Sequence, residues 1–171
     1  MPQSTADIKA KEGRIIDILL DGSHAGTRSA DIEMERHKAI SDLLAENSFH
    51  LTTPENAPGP YQLLLSLTED RLHMRVKCRV SDTVTEMTLP LSPLKKHIHD
   101  YVILCDNFYK TARAGQIHRL EAIDAGRRSI HDEGAELLAE SLENKVILDK
   151  LTARRLFSLL YVLHMRGTEV M

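Results

Sequence analysis

Tryptophan is missing, and three phenylalanines and four tyrosines are all the aromatic residues in 171. The chain therefore has little with which to stack the bases of a single-stranded nucleic acid. Cysteine is nearly missing as well: Cys78 and Cys105 alone make neither a disulfide framework nor a four-cysteine zinc site. Neither sign of charge dominates. Lys and Arg number 22 against 25 Asp and Glu, a formal charge of −3, which offers no general attraction to nucleic acid. Long apolar runs are absent too. Leu156 to Met165 is interrupted by Ser158 and His164 and falls short of the roughly 18 residues that span a bilayer. The opening MPQSTADIKAKEGR lacks the apolar core of a signal peptide, so a cytosolic protein with no membrane association is expected. No P-loop, GxGxxG, HExxH, GxSxG or CxxC is present, so no cofactor and no metal is expected. His97 and His99 do not make a metal pair, because residues two apart on a helix diverge by about 200°.

What is there reads as one domain over residues 1–171, with residues 1–12 a disordered start. Arg14 to Asp21 packs five aliphatics into eight positions and stops at Asp21-Gly22, a buried strand. A helix capped by Ser29 or Asp31 follows to about Glu46, then a proline-containing loop from His50 to Pro60. Tyr61 to Thr68, Leu72 to Val80 and Val84 to Leu91 read as a meander of three strands. In the second of these, Leu72, Met74, Val76, Cys78 and Val80 share one face, while His73, Arg75, Lys77 and Arg79 share the other. Ser92-Pro93 predicts a helix start, serine capping and proline in the first turn. That helix is closed by Gly115 and carries Cys105 mid-stripe, an inert core thiol. Gln116 to Leu142 reads as another helix. A short strand from Asn144 to Leu148 and a helix capped by Asp149, closed by Gly167, complete an α+β fold, a small antiparallel sheet packed by three to four helices.

The helix from Gln116 breaks its own pattern. The mean direction of its apolar stripe, Ile117, Leu120, Ile123, Ile130, Leu137 and Leu138, falls on Arg127, with Asp124 and His131 three and four residues away on the same face and Arg128 at its edge. Arginine cannot shed its proton, so a core position requires a carboxylate, carbonyls or a bound anion. One reading is a buried Asp124–Arg127–His131 network, in which Arg127→Ala would strand Asp124 at a cost of about 3–5 kcal/mol. The other is an anion pocket of Arg127, Arg128, His131 and Asp124, in which the fold survives that substitution and anion binding does not. Gly126 and Gly134 each cost a helix about 1 kcal/mol relative to alanine, which calls for compensation by close approach of another element or a ligand.

The last helix is apolar around nearly its whole circumference and brings Arg155 and Arg166 beside Leu151, Leu159 and Val162. That predicts a central helix or a homodimer through residues 150–166. The basic strand face from His73 to Arg79 would grip phosphates, as an RNA-associated factor does, unless Glu86 and Thr88 pair with it across the sheet.

Glu46-Asn-Ser-Phe49, Gly59-Pro-Tyr61, Leu91-Ser-Pro93, Asp100-Tyr101, Ile123-Asp-Ala-Gly-Arg-Arg128, His131-Asp-Glu-Gly134, Thr152-Ala-Arg-Arg-Leu-Phe157, Leu163-His164 and Arg166-Gly167, in this order and spacing over residues 13–167, resemble an uncharacterised protein family (UPF) of proteobacteria. Asp132 stands where asparagine is expected and Met165 where tryptophan is. The resemblance implies a soluble bacterial protein of this size and assigns no activity, cofactor or site residue. The expected function is therefore non-enzymatic binding of a protein partner or an anionic ligand. An enzyme acting on a phosphorylated small molecule through Arg127, Arg128 and His131 is the rival, and nucleic acid is the least expected partner.

Overall fold

The computed structural model describes residues 12–21, 30–53 and 57–168, with the side chains of 166–168 left aside. The expected disordered start falls outside these residues apart from Glu12, as do Gly22, Ser29 and Pro54. In chain order the elements are β1 (Ile15–Leu20), α1 (Ala30–Ala45), β2 (Phe49–Leu51), β3 (Tyr61–Leu67), β4 (Arg71–Cys78), β5 (Val84–Pro90), α2 (Lys95–Arg113), α3 (Ile117–Leu142), β6 (Val146–Leu148) and α4 (Lys150–Thr168).

The fold is α+β, and its main sheet is mixed rather than antiparallel. Strands run in the order β1-β3-β4-β5. The meander β3-β4-β5 is antiparallel as expected, but β1 lies parallel to β3. Parallel pairing needs a long crossover, and α1 with the segment after it supplies one. Part of that segment is not loop. Phe49–Leu51 pairs antiparallel with Val146–Leu148 as a second, two-stranded sheet, tying the exit of α1 to the start of α4. The Thr152 hydroxyl, fully buried, accepts the Ser48 N–H at 2.8 Å.

Asn47 closes another junction. Its amide accepts from Ile15 N–H at 2.7 Å and donates to Ile15 C=O at 2.9 Å and Leu43 C=O at 2.8 Å. One buried side chain thus ends α1 and pairs with the outer side of β1.

Leu72, Met74, Val76 and Cys78 are buried under the helices, as the alternation in β4 predicts. Val80 is not: the strand ends at Cys78, Val80 is 58% exposed, and the turn passes through Asp82 at φ 59°. Three of the four residues of the basic face have neighbours. Arg75 lies opposite Glu86 and 3.8 Å from it, Lys77 is 3.7 Å from Asp82, and His73 lies between Thr68 and Thr88.

The helix starts and stops depart from expectation at two places. Ser92 does not cap α2. Leu91 C=O already accepts from Leu94 and Lys95 N–H, so Leu94 occupies the cap with no side-chain hydrogen bond. Gly167 does not stop α4, which continues through Thr168. Asp149 does cap α4, accepting the Thr152 N–H at 2.9 Å, and Gly115 ends α2 at φ +72°.

Helix α4 is the centre of the core. Leu156, Phe157, Leu159, Leu160, Tyr161, Val162 and Leu163 are all buried within the one chain, against α1, α2, α3 and β3. The apolar circumference that suggested a homodimer through residues 150–166 is consumed by the chain's own packing. Arg155 serves α1, its Nη1 donating to the carbonyls of Asp42 and Glu46 at that helix's C-terminus, where a cation complements the helix dipole.

Candidate functional site

Helix α3 packs differently along its length. Its buried residues, Gly134, Ala135, Leu138 and Leu142, lie in the second half, whereas Ile117, assigned to the stripe, is 75% exposed. The half containing Arg127 lies over α2 and faces α1 and α4 across a cleft of about 200 Å³, lined by Glu35, Lys38 and Asp42 of α1, Tyr101 of α2, Arg127, Arg128 and His131 of α3, and Arg154 and Ser158 of α4.

The four residues picked out in the sequence come together here. Arg127 Nη2 bonds Asp124 Oδ1 at 2.7 Å, and Arg128 Nε lies 3.3 Å from Asp124 Oδ2. A single carboxylate thus holds two guanidiniums. Arg127 also lies over the Phe108 ring, 4.1 Å from its centroid, which favours a cation by the ring's quadrupole. Burial opposes its charge, but the hydrogen bond it donates to Asp124, together with the electrostatic effects of Tyr101, Cys105 and Asp124, outweighs that and holds the guanidinium ionised. Across the cleft, Arg154 Nε lies 3.0 Å from Asp132 Oδ1.

His131 is not part of the Asp124–Arg127 pair. Its Nε2 is 2.7 Å from Ser158 Oγ on α4, and its ring lies between Tyr101 and Phe157, with centroids 5.3 and 5.2 Å away. Desolvation, with Arg154 and Arg127 adding to it and Asp132 opposing, pulls its pKa down to about 4. The imidazole is therefore neutral at physiological pH. Below the cleft, burial raises the Tyr101 and Tyr161 phenols well above their ordinary values and the Cys105 thiol above its own. Cys105 is the inert core thiol its position in α2 predicts.

On α1, the Tyr109 hydroxyl donates to Glu35 Oε1. Glu35 and Arg127 both act electrostatically on Tyr101, Cys105 and Tyr109, in opposite senses. Sequence reasoning missed Glu35, Lys38, Asp42, Tyr101, Arg154 and Ser158. Their own periodicity gives no signal: Glu35, Lys38 and Asp42 read as the polar side of an amphipathic helix, Tyr101 as part of an apolar stripe, and Arg154 and Ser158 as breaks in an apolar helix; only the packing of four helices brings them together. Among the described residues, no three His, Cys, Asp or Glu side chains converge as a metal site, and no helix is long and apolar enough to cross a membrane.

Because Asp124 keeps Arg128 as a partner, Arg127→Ala does not strand a carboxylate, as the buried-pair reading requires. The expected loss is about 1–2 kcal/mol, for one charged hydrogen bond and the contact with Phe108. Chemical denaturation gives the value; a loss of 4 kcal/mol or more would mean that the pair is buried more deeply than described here.

The chain belongs to the uncharacterised protein family UPF0262, whose sequence model matches residues 12–166. A UPF0262 protein of Brucella canis is 42% identical over 163 residues, covering 95% of this chain and 99% of the relative. One of Brucella anthropi is 42% identical over 154 residues, covering 90% and 95%. No solved structure matches the chain.

Proposed function

We propose that this member of UPF0262 is a cytoplasmic protein that binds a small anionic ligand in the cleft between α1, α3 and α4. The observation that carries the reading is how the three arginines are held. Arg128 and Arg154 each place Nε within ion-pair distance of a carboxylate, and their terminal nitrogens have no protein partner among the described residues. Arg127 is steadied by Asp124 and Phe108. Guanidiniums fixed by a carboxylate behind and open in front are pre-organised for an anion, since their ordering is complete before it arrives. The neutral His131 and the Ser158 hydroxyl add uncharged hydrogen-bonding groups to the same cleft.

Arg128 and Arg154 are 64% and 40% exposed at their side chains, so removing them tests binding without unfolding the protein. Millimolar inorganic phosphate is expected to raise the melting temperature of the wild type, and Arg128→Ala with Arg154→Ala to abolish that rise while leaving the ligand-free melting temperature nearly unchanged. An equal rise in wild type and double variant would reject the cleft as the site.

The 2.7 Å bond between His131 and Ser158 favours a second reading, an enzyme acting on a phosphorylated small molecule with His131 moving a proton. A phosphatase assay separates the two, because binding alone releases no phosphate. An RNA-associated role through the His73–Arg79 face has less support, since Arg75 and Lys77 already lie beside Glu86 and Asp82.

A further inference from the structure

The cleft is not uniformly basic. Its α3–α4 wall carries Arg127, Arg128 and Arg154, whereas its α1 wall carries Glu35 and Asp42 with Lys38 between them. Counted by formal charge, the α1 wall is negative by one. The Asp42 carboxylate has no hydrogen-bond or ion-pair partner among the described residues, and its backbone carbonyl alone is engaged, by Arg155. Glu35 receives one phenolic proton from Tyr109 and has three further lone-pair positions.

A simple anion would meet attraction on one side of this cleft and repulsion on the other. We infer that the ligand is amphoteric, a phosphate monoester that also carries one primary ammonium group, with phosphate against Arg127, Arg128 and Arg154 and ammonium against Glu35 and Asp42. This inference rests on the anion-binding reading and narrows it. Phosphate fits better than carboxylate because the terminal nitrogens of Arg128 and Arg154 offer eight N–H donors between them, more than the roughly four acceptor positions of a carboxylate. The ammonium is called for by the opposite wall, whose two carboxylates line the same cleft as the arginines. Both walls act on the same buried phenols, Tyr101 and Tyr109, in opposite directions.

The test compares phosphate compounds with and without an ammonium group. Dissociation constants of phosphoethanolamine, glycerol 2-phosphate and inorganic phosphate are measured by calorimetry on the wild type, on Asp42→Asn, and on Glu35→Gln with Asp42→Asn. Phosphoethanolamine is expected to bind the wild type at least tenfold more tightly than glycerol 2-phosphate. That ratio should fall in Asp42→Asn and approach one in the double variant, whose affinity for glycerol 2-phosphate is kept or improved. Circular dichroism checks the fold of each variant, and Asp42→Asn alone decides the matter if Glu35→Gln disturbs it. Equal affinity for the two esters in the wild type, or a ratio unchanged by the substitutions, would overturn the amphoteric ligand while leaving the anion site standing. Binding of none of the three by the wild type would remove both.

Discussion

Gly134→Ala is expected to destabilise the protein by about 2–3 kcal/mol, because a clash this short with a buried ring costs about 3–4 kcal/mol, above the usual range for overpacking, and alanine returns roughly 1 kcal/mol to the helix. A Cβ at Gly134 would lie 2.3 Å from Phe157 Cε2 and 2.4 Å from Cζ. The Phe157 ring cannot retreat, being fully buried and edge-on to both Tyr101 and His131. Gly126, eight residues earlier on the same helix, supplies the control. Nothing approaches its would-be Cβ closer than the Leu104 methyls at 3.9 Å, so Gly126→Ala should leave stability unchanged or raise it by up to about 1 kcal/mol. The melting temperature of the first variant should fall by roughly 4–12 °C, at about 2–4 °C per kcal/mol for a chain of this size, while that of the second holds or rises. A Gly134→Ala variant as stable as the wild type would mean that α3 and α4 are not in contact at that point.

Acidification is expected to weaken the fold through His131. In the unfolded chain the imidazole titrates near 6.5, and in the folded chain near 4. Protons therefore bind the unfolded state more readily between those values. Stability is full above pH 6.5 and declines as the pH falls towards 4, and the loss reaches about 3 kcal/mol once both states are protonated. Arg154 and Arg127 face the ring as cations and Asp132 as an anion, so the first two resist its charging and the third only partly offsets them. His131→Gln keeps a hydrogen-bonding group for Ser158 but cannot titrate. Its stability at neutral pH will be lower, because Tyr101 and Phe157 lose a ring neighbour, yet its loss between pH 7.5 and pH 4.5 should be smaller than that of the wild type by roughly 2.5 kcal/mol. Parallel pH profiles for the two proteins would show that His131 is accessible to water and not held neutral by burial. The part of the acid sensitivity common to both contains His164, which burial and His99 also hold below its ordinary pKa.

The two glycines show what could be read from the sequence and what could not. Both interrupt a helix, and the propensity cost demanded a compensating close approach for each. The close approach exists at Gly134 alone, because helical period fixes the face a residue occupies but not which part of that face another helix covers. The same limit explains Ile117, placed correctly on the stripe and left exposed where α3 runs past its neighbours. Period-two alternation located β4 and its register-setting face, since a strand with one buried side has little freedom to slip. It could not show that β1 joins the meander in parallel, because a short apolar strand carries no sign of its direction. At the site, Asp124, Arg127, Arg128 and His131 were legible because they share one helix. Arg154, Ser158, Glu35 and Asp42 were not, as they meet those residues only across interfaces between helices.

Asn47 has a consequence beyond the joint between α1 and β1. The outer rim of an edge strand presents unpaired amide and carbonyl groups, a template on which a second molecule can add a strand of its own. On β1 that rim lies beside Ile16 and Leu19, both exposed apolar residues that an added strand would cover. By donating to and accepting from Ile15 at once, the Asn47 amide imitates a short length of neighbouring strand and denies that position to an incoming chain. The residue that ends a helix is also a guard against aggregation, placed where a stray strand would first take hold.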